Sequence, residues 1–276
     1  MTISLGVPAA AYHASEGVSN SMLSAMAESP YHCWSKYLDP QRPASNPTPA
    51  MAAGTLLHTL VLEPALMAST YVQIPDGIDF RTKDGKAWRD AHADLTLISA
   101  DQMALALAQR DALLAHPVIR DLLEGSVSEA TVTWVDQATG LKCRARPDAM
   151  KREGKRASVL DLKTATDASP DGFSRSIASF GYHRQRAHYT SGIEANRLHV
   201  ESFVFAVVSS TWPICAMAYV LDDEAEAQGA DEVAELLDLF KNCQASGHWP
   251  TYGEGLQLIG LPKWAKRSNE IEVSYV

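Results

Sequence analysis

Hydrophobic and polar positions along this chain follow two different rhythms. Up to about residue 125 the apolar residues recur at helical spacing. Ser19-Asn-Ser-Met-Leu-Ser-Ala-Met-Ala predicts a helix that opens at a good capping residue and stops before Pro30. Residues 31–37 predict a second, short helix. Pro40, Pro43, Pro47 and Pro49 make residues 39–49 a loop. Residues 50–62 form a strongly helical run ending before Pro64, with Gly54 and His58 four apart on one face. Gly54 is expected to let another backbone approach closely. Then come a short strand at 71–75, a charged loop at 82–93 leading into a helix, an amphipathic helix at 100–114 and another helix at 117–123.

From Glu129 onward the rhythm changes to strand alternation. Residues 131–135 predict a strand, 136–140 a turn and 141–150 a returning strand. Residues 158–163 are apolar on both faces, which predicts a central strand. The meander is followed by helix over 170–196 with a break near Gly181. A strand pair at 203–209 and 214–221 then flanks Thr211-Trp212-Pro213, and a last helix covers 223–246. The order predicts a mixed α/β layer architecture with a helical N-terminal elaboration. We read 1–276 as one domain: a mainly helical part over 1–125, a sheet with its helices over 126–250, and an irregular tail over 251–276. No internal repeat is visible.

The chemistry concentrates in two short segments, Arg144-Ala-Arg-Pro-Asp148 and Val159-Leu-Asp-Leu-Lys-Thr164. Side chains two apart on a strand point the same way, so Asp161 and Lys163 share a face. Asp148, at the end of the preceding strand, can be brought beside them. Two carboxylates, with the backbone carbonyl of Leu162 as a third oxygen, suit a hard divalent cation. Lys163 can position or help deprotonate a water, or neutralise a phosphate. Asp-x-Lys alone also describes many solvated surface pairs; the apolar flanks of this one are what argue for a buried site.

Charge changes the picture of the partner. The net charge is −9, which on its own argues against a polyanion. Residues 222–238, however, hold eight acids and no Lys or Arg, and without them the rest of the chain is nearly neutral. Residues 142–156 hold seven Lys/Arg and two acids, next to the suspected metal site. A local positive groove on an acidic protein suits DNA, with Arg144, Arg146, Arg184 and Arg186 as candidate phosphate contacts. The acidic run reads as a solvated helix face. Cys33, Cys143, Cys215 and Cys243 are scattered without close pairs, so no zinc site and no iron–sulfur cluster is expected. No apolar run approaches membrane-spanning length and the first residues lack the pattern of a secretory signal, so a soluble, intracellular protein is expected.

These segments together resemble the PD-(D/E)XK nuclease superfamily. Arg146-Pro-Asp148 with Asp161-Leu-Lys163 matches its core signature, and Gln185-Arg-Ala-His-Tyr189 matches the Gln-x-x-x-Tyr motif of the RecB-like branch. Within that branch the chain resembles the RecE type (exonuclease VIII and phage relatives). Gly17-Val-Ser-Asn-Ser, Ser29-Pro-Tyr-His-Cys-Trp and Thr48 to Pro64 support this, and the similarity runs from about Tyr12 to about Pro250. The resemblance implies a restriction-endonuclease-like fold, a mixed central sheet flanked by helices. It implies a Mg²⁺-dependent exodeoxyribonuclease, with Mn²⁺ a possible substitute, degrading linear duplex DNA from the 5′ end. The 3′ single strand would be left for a strand-annealing protein in recombination. It also implies a homo-oligomeric ring of three or four subunits and a phage-encoded or bacterial cytoplasmic protein. By the same resemblance His58 joins Asp148, Asp161 and the Leu162 carbonyl at the metal. Glu129 would hold a metal-bound water or a second ion, and Gln185 and Tyr189 would bind a phosphate or a catalytic group. Each has a plainer alternative: a buried core histidine, a strand-capping carboxylate, ordinary helix packing. Glu63 is read as structural, and Trp34, Trp88 and Trp134 receive no role. Two alternatives stay open at this point: the same fold acting on single strands or as an endonuclease, and a non-catalytic DNA-end-binding protein.

Overall fold

The computed structural model describes residues 1–43, 48–253 and 255–262. Part of the proline-rich loop and of the C-terminal tail, residues 44–47, 254 and 263–276, lies outside the described residues. The chain opens with strand β1 (Thr2–Ser4) and helix α1 (Ala9–Ala14), neither expected from the sequence pattern. Helix α2 (Asn20–Glu28) starts where expected, with the Ser19 hydroxyl accepting from the Met22 N–H at 3.4 Å. Helix α3 (Pro30–Cys33) runs on into a π-helical turn at Trp34–Leu38. Helix α4 (Pro49–Leu62) carries His58. After α5 (Met67–Thr70), strand β2 (Tyr71–Gln73) pairs in parallel with β3 (Thr96–Ile98). Between them, α6 (Lys83–Ala91) is helical from its Thr82 cap, so the charged loop expected at its start is not one. Helices α7 (Ala100–Ala115) and α8 (Pro117–Leu123) complete the first half.

The second half corrects one expectation that matters for the site. Residues 141–150 are two strands in two sheets, β6 (Lys142–Ala145) and β7 (Ala149–Glu153), broken at Arg146-Pro147-Asp148. The partner side breaks at the same level, between β4 (Val127–Ser128) and β5 (Thr131–Val135). Proline has no N–H to give a ladder and fixes φ, and Pro147 stands at the break. One long hairpin therefore straddles two sheets. Its tip pairs as β5–β6, with β1 added beside β5. Its base pairs β4 with β7, which continues antiparallel into β8 (Arg156–Ala165). After α9 (Pro170–Phe180) and α10 (Tyr182–Ala195), strand β9 (His199–Ser209) runs parallel to β8, and β10 (Ala216–Tyr219) closes the order β10-β9-β8-β7-β4. Helix α11 (Asp223–Ser246) ends the regular structure, and residues 247–253 and 255–262 form no further element.

Strand β8 is central and coated on both faces, as its apolar pattern required. On one face Val159 joins Met22 and Leu23 of α2, Ile193 of α10 and Leu237 and Phe240 of α11. On the other, Leu160 and Leu162 pack with Leu57 of α4, Leu113 of α7 and Ile119 of α8. Full burial of one such side chain is worth roughly 1.5–3 kcal/mol. This second cluster fixes α4, and with it His58, against β8. Gly54 does not act as a close-approach point, since a Cβ there would meet nothing within 4 Å. Close approach is needed elsewhere: at Gly192 of α10 a Cβ would stand 2.5 Å from the Trp134 ring. Trp134 is thus a core anchor. Among the described residues no single helix is long and apolar enough to cross a membrane.

Candidate active site

The two breaks in the long hairpin meet, and they present two acids at the seam. Glu129 has φ +56, a left-handed conformation that is uncommon for a residue with a Cβ. Its backbone N–H donates to the Asp148 carbonyl at 3.0 Å, tying one break to the other. Asp148 stands at the start of β7, in the break rather than at the end of a strand. Its Oδ2 accepts from the Leu162 N–H of β8 at 2.6 Å. Its Oδ1 is left facing His58 Nδ1 at 3.7 Å, beyond hydrogen-bond range. His58 Nε2–H donates to the Leu162 carbonyl at 3.2 Å, which leaves Nδ1 as the ring atom turned toward that carboxylate. A ring nitrogen and a carboxylate oxygen 3.7 Å apart are placed to share a cation. One ligand atom each from His58, Glu129 and Asp148 lie within 4.8 Å of one another.

Electrostatics agree with that reading. Burial pushes the Asp148 carboxyl above its ordinary range, and the Asp161 charge adds to this against the pull of His58 and Lys163. Burial and the neighbouring Asp148 push Glu129 up as well, although Arg146 pairs with it. Acids that resist ionisation only because they are crowded and desolvated are the groups a divalent ion would relieve. The donor set of one imidazole and two carboxylates suits Mn²⁺ or Mg²⁺ completed by water.

On the facing side, Asp161 is 1 % exposed, and its Oδ2 is buried without a hydrogen-bond partner. Oδ1 accepts from Gln185 Nε2 at 2.5 Å and Oδ2 is ion-paired with Lys163 Nζ. The Asp161 carboxylate therefore is not in the group formed by His58, Glu129 and Asp148. The Leu162 carbonyl, expected as a ligand, accepts from His58 and keeps a second lone pair. Burial would lower the Lys163 ammonium, but Asp161 and Asp148 outweigh it and hold Lys163 above its usual range, charged. Gln185 and Tyr189 project together from α10. Burial keeps the Tyr189 phenol protonated, with Asp161, Tyr12 and Asp148 acting in the same direction.

The four arginines expected to meet phosphates are all engaged within the protein. Arg144 is buried, and its Nη1 donates to the carbonyls of Tyr12, of His13 at 3.2 Å and of Ser15 at 2.5 Å, holding the end of α1. Arg146 pairs with Glu129 and donates to the Val7 carbonyl at 3.0 Å. Arg184 donates to Glu232 at 2.6 Å and Arg186 pairs with Glu226 at 2.5 Å, both on α11. The acidic run is therefore not simply solvated. Three contributors escaped sequence reasoning. Tyr12 lies under the guanidinium groups of Arg144 and Arg146, at 5.0 and 5.5 Å from its ring centre. Tyr182 lies 4.7 Å from Lys163 Nζ. His188, wholly buried between Gln185 and Tyr189, donates Nε2–H to the Arg144 carbonyl at 3.2 Å. Only Tyr182 carried a signal, by following the Gly181 break.

Residues 19–262 match the sequence profile of a family described as a PDDEXK-like domain of unknown function (DUF3799). This chain belongs to that family. A crystal structure described as a "putative exonuclease" from Eubacterium rectale is similar to this PDDEXK-like protein over 87% of this chain and 88% of that one, with TM-score 0.60 and 13% identity. At that identity the likeness concerns the fold, which is restriction-endonuclease-like. A second structure, SSO0001, covers 67% of the PDDEXK-like chain and 86% of its own at 16% identity; its TM-score of 0.29 carries no argument. No curated protein matches the sequence.

Proposed function

We propose that this PDDEXK-like protein is a metal-dependent exodeoxyribonuclease of the RecE type, acting on the ends of linear duplex DNA. The observation that carries the reading is the meeting of Asp148, Asp161 and Lys163 on the backbone of Leu162, with His58 and Glu129 completing a cation cradle beside them. A bound Mg²⁺ or Mn²⁺ would supply Lewis acidity toward a phosphate oxygen and acidify a water. Each side chain then has a task that its surroundings fit. His58, Glu129 and Asp148 hold the ion. Lys163, charged and aimed by Asp161, stabilises the negative charge that develops on the phosphorane-like oxygens and orients the attacking water. A charged ammonium cannot itself accept the water's proton. Gln185 fixes Asp161, and the protonated Tyr189 phenol is a donor for phosphate.

The finer reading is 5′ to 3′ digestion with Mg²⁺, leaving 3′ tails for an annealing partner, by a ring of three or four subunits in a bacterial or phage setting. Motif likeness to the RecE type supports it. One assay tests most of it: linear duplex labelled at the 5′ or the 3′ end, and closed circular duplex, each incubated with and without Mg²⁺. Early release of 5′ label, no attack on circles and silence in EDTA are expected. Asp161→Asn should be folded and inactive. Digestion that survives in that variant, or that needs no metal, would overturn the proposal.

A further inference from the structure

An aromatic stack runs from the core to the surface and passes the proposed site on the way. Phe205 of β9 is fully buried. Its ring lies 5.9 Å from Tyr182 at an interplanar angle of 29°, and Tyr182 lies 5.6 Å from Phe180 at 28°. The middle ring, Tyr182, holds the Lys163 ammonium at 4.7 Å. The outer ring, Phe180, is 62% exposed. Gly181 makes the arrangement possible. Its left-handed φ of +68 ends α9 and opens α10, and the rings on either side of it, Phe180 and Tyr182, lie against each other. The Phe180 ring is packed against Tyr182 and leaves the rest of its surface in water. It lies one ring beyond the lysine assigned to the scissile phosphate, and every nucleobase presents a flat π face.

We propose that Phe180, backed by Tyr182, is a stacking platform for a nucleobase next to the scissile phosphate. The proposal rests on the nuclease reading and deepens it. The occupant is a base of a frayed or single-stranded end, because a base inside a duplex has both faces covered. Phe180 is accordingly a positioning residue. It sets which nucleotide lies over Lys163 without touching the reacting atoms.

The test uses the whole protein and a duplex oligonucleotide with 2-aminopurine at its 5′ end, in EDTA so that nothing is cut. Stacking quenches the fluorescence of that base. Wild type should quench it, Phe180→Ala should not, and Phe180→Trp should restore quenching. In Mg²⁺ the alanine variant should show a KM for DNA raised about tenfold, equivalent to about 1.4 kcal/mol of binding, with most of the loss in KM rather than kcat. The melting temperature should not fall, since the ring is exposed. Equal quenching and equal KM in wild type and Phe180→Ala would overturn the platform while leaving the nuclease reading intact. Quenching without any digestion in Mg²⁺ would uphold the platform and remove the nuclease reading. A smaller sedimenting species in Phe180→Ala, with quenching retained, would assign the ring to contact with a second copy and overturn the proposal.

Discussion

Lys163 is charged, mostly buried, and held by one carboxylate with a second close by. Removing a preorganised donor of this kind costs about 10²–10³ in kcat. Lys163→Ala should show at least that loss in single-turnover digestion, with a smaller change in KM. His58 acts on the other side of Leu162. His58→Ala should raise the Mn²⁺ concentration for half-maximal activity by about tenfold or more, and the activity should recover at high metal. Glu129 and Asp148 give a signature that needs no substrate. Their ordinary values are 4.5 and 3.8, and both are raised in the fold. A carboxyl raised on folding favours the native state while protonated, and that contribution fades as pH climbs through the folded value. Metal-free protein should therefore lose this part of its stability as pH rises from about 4. Mn²⁺ replaces the proton, so it should lift the melting temperature more at pH 7 than at pH 5. An equal lift at both, or none, would count against the cradle. Asp161 and Lys163 were legible from strand period alone. The meeting of His58 with Leu162 followed only from the family resemblance, because nothing local links residues so distant in the chain.

At the level of elements, α10 carries Gln185, which aims Asp161, and His188 locks that helix to β6. Burial lowers His188 to about 4. A base depressed on folding stabilises the native state above its ordinary value of 6.5 and loses that contribution as pH falls through about 4. The slope of stability against pH between those limits should be shallower in His188→Gln than in wild type; urea melts at several pH values would measure it. Gly192→Ala drives a methyl into Trp134 and should cost about 2 kcal/mol. Helices α2, α4, α7 and α11 were readable because each has its own cap or stop and a periodic face. The split of 141–150 was not. Alternation continues unbroken from β6 to β7, and only Pro147 hints that the faces belong to different sheets. β1 and β3 are three residues each, too short to show a period.

For the molecule as a whole, charge is segregated along the sequence and part of it is paired within the fold. Arg184 and Arg186 of α10 pair with Glu232 and Glu226 of α11, while basic residues of the 142–156 block find other partners, such as Glu16 for Lys142 and Asp121 for Lys151. Each phosphate contact steepens the dependence of log affinity on log salt by about 0.9 in duplex DNA. Arg184→Gln should leave that slope unchanged and lower stability by about 1 kcal/mol instead. A flatter slope would return Arg184 to the DNA. The fold class, by contrast, followed from the order of elements, since helices and strands in that succession leave few layered solutions. The first eighteen residues are tied to the site by two arginines. Val7, Tyr12 and Ser15 are gripped by Arg144 and Arg146, and Arg146 also grips Glu129. A protease nick between Val7 and Ser15 would therefore slacken a carboxylate of the reaction centre from more than a hundred positions upstream. Loss of manganese affinity on such trimming, with the trunk still folded, would be the sign that the leading strap tensions the chemistry.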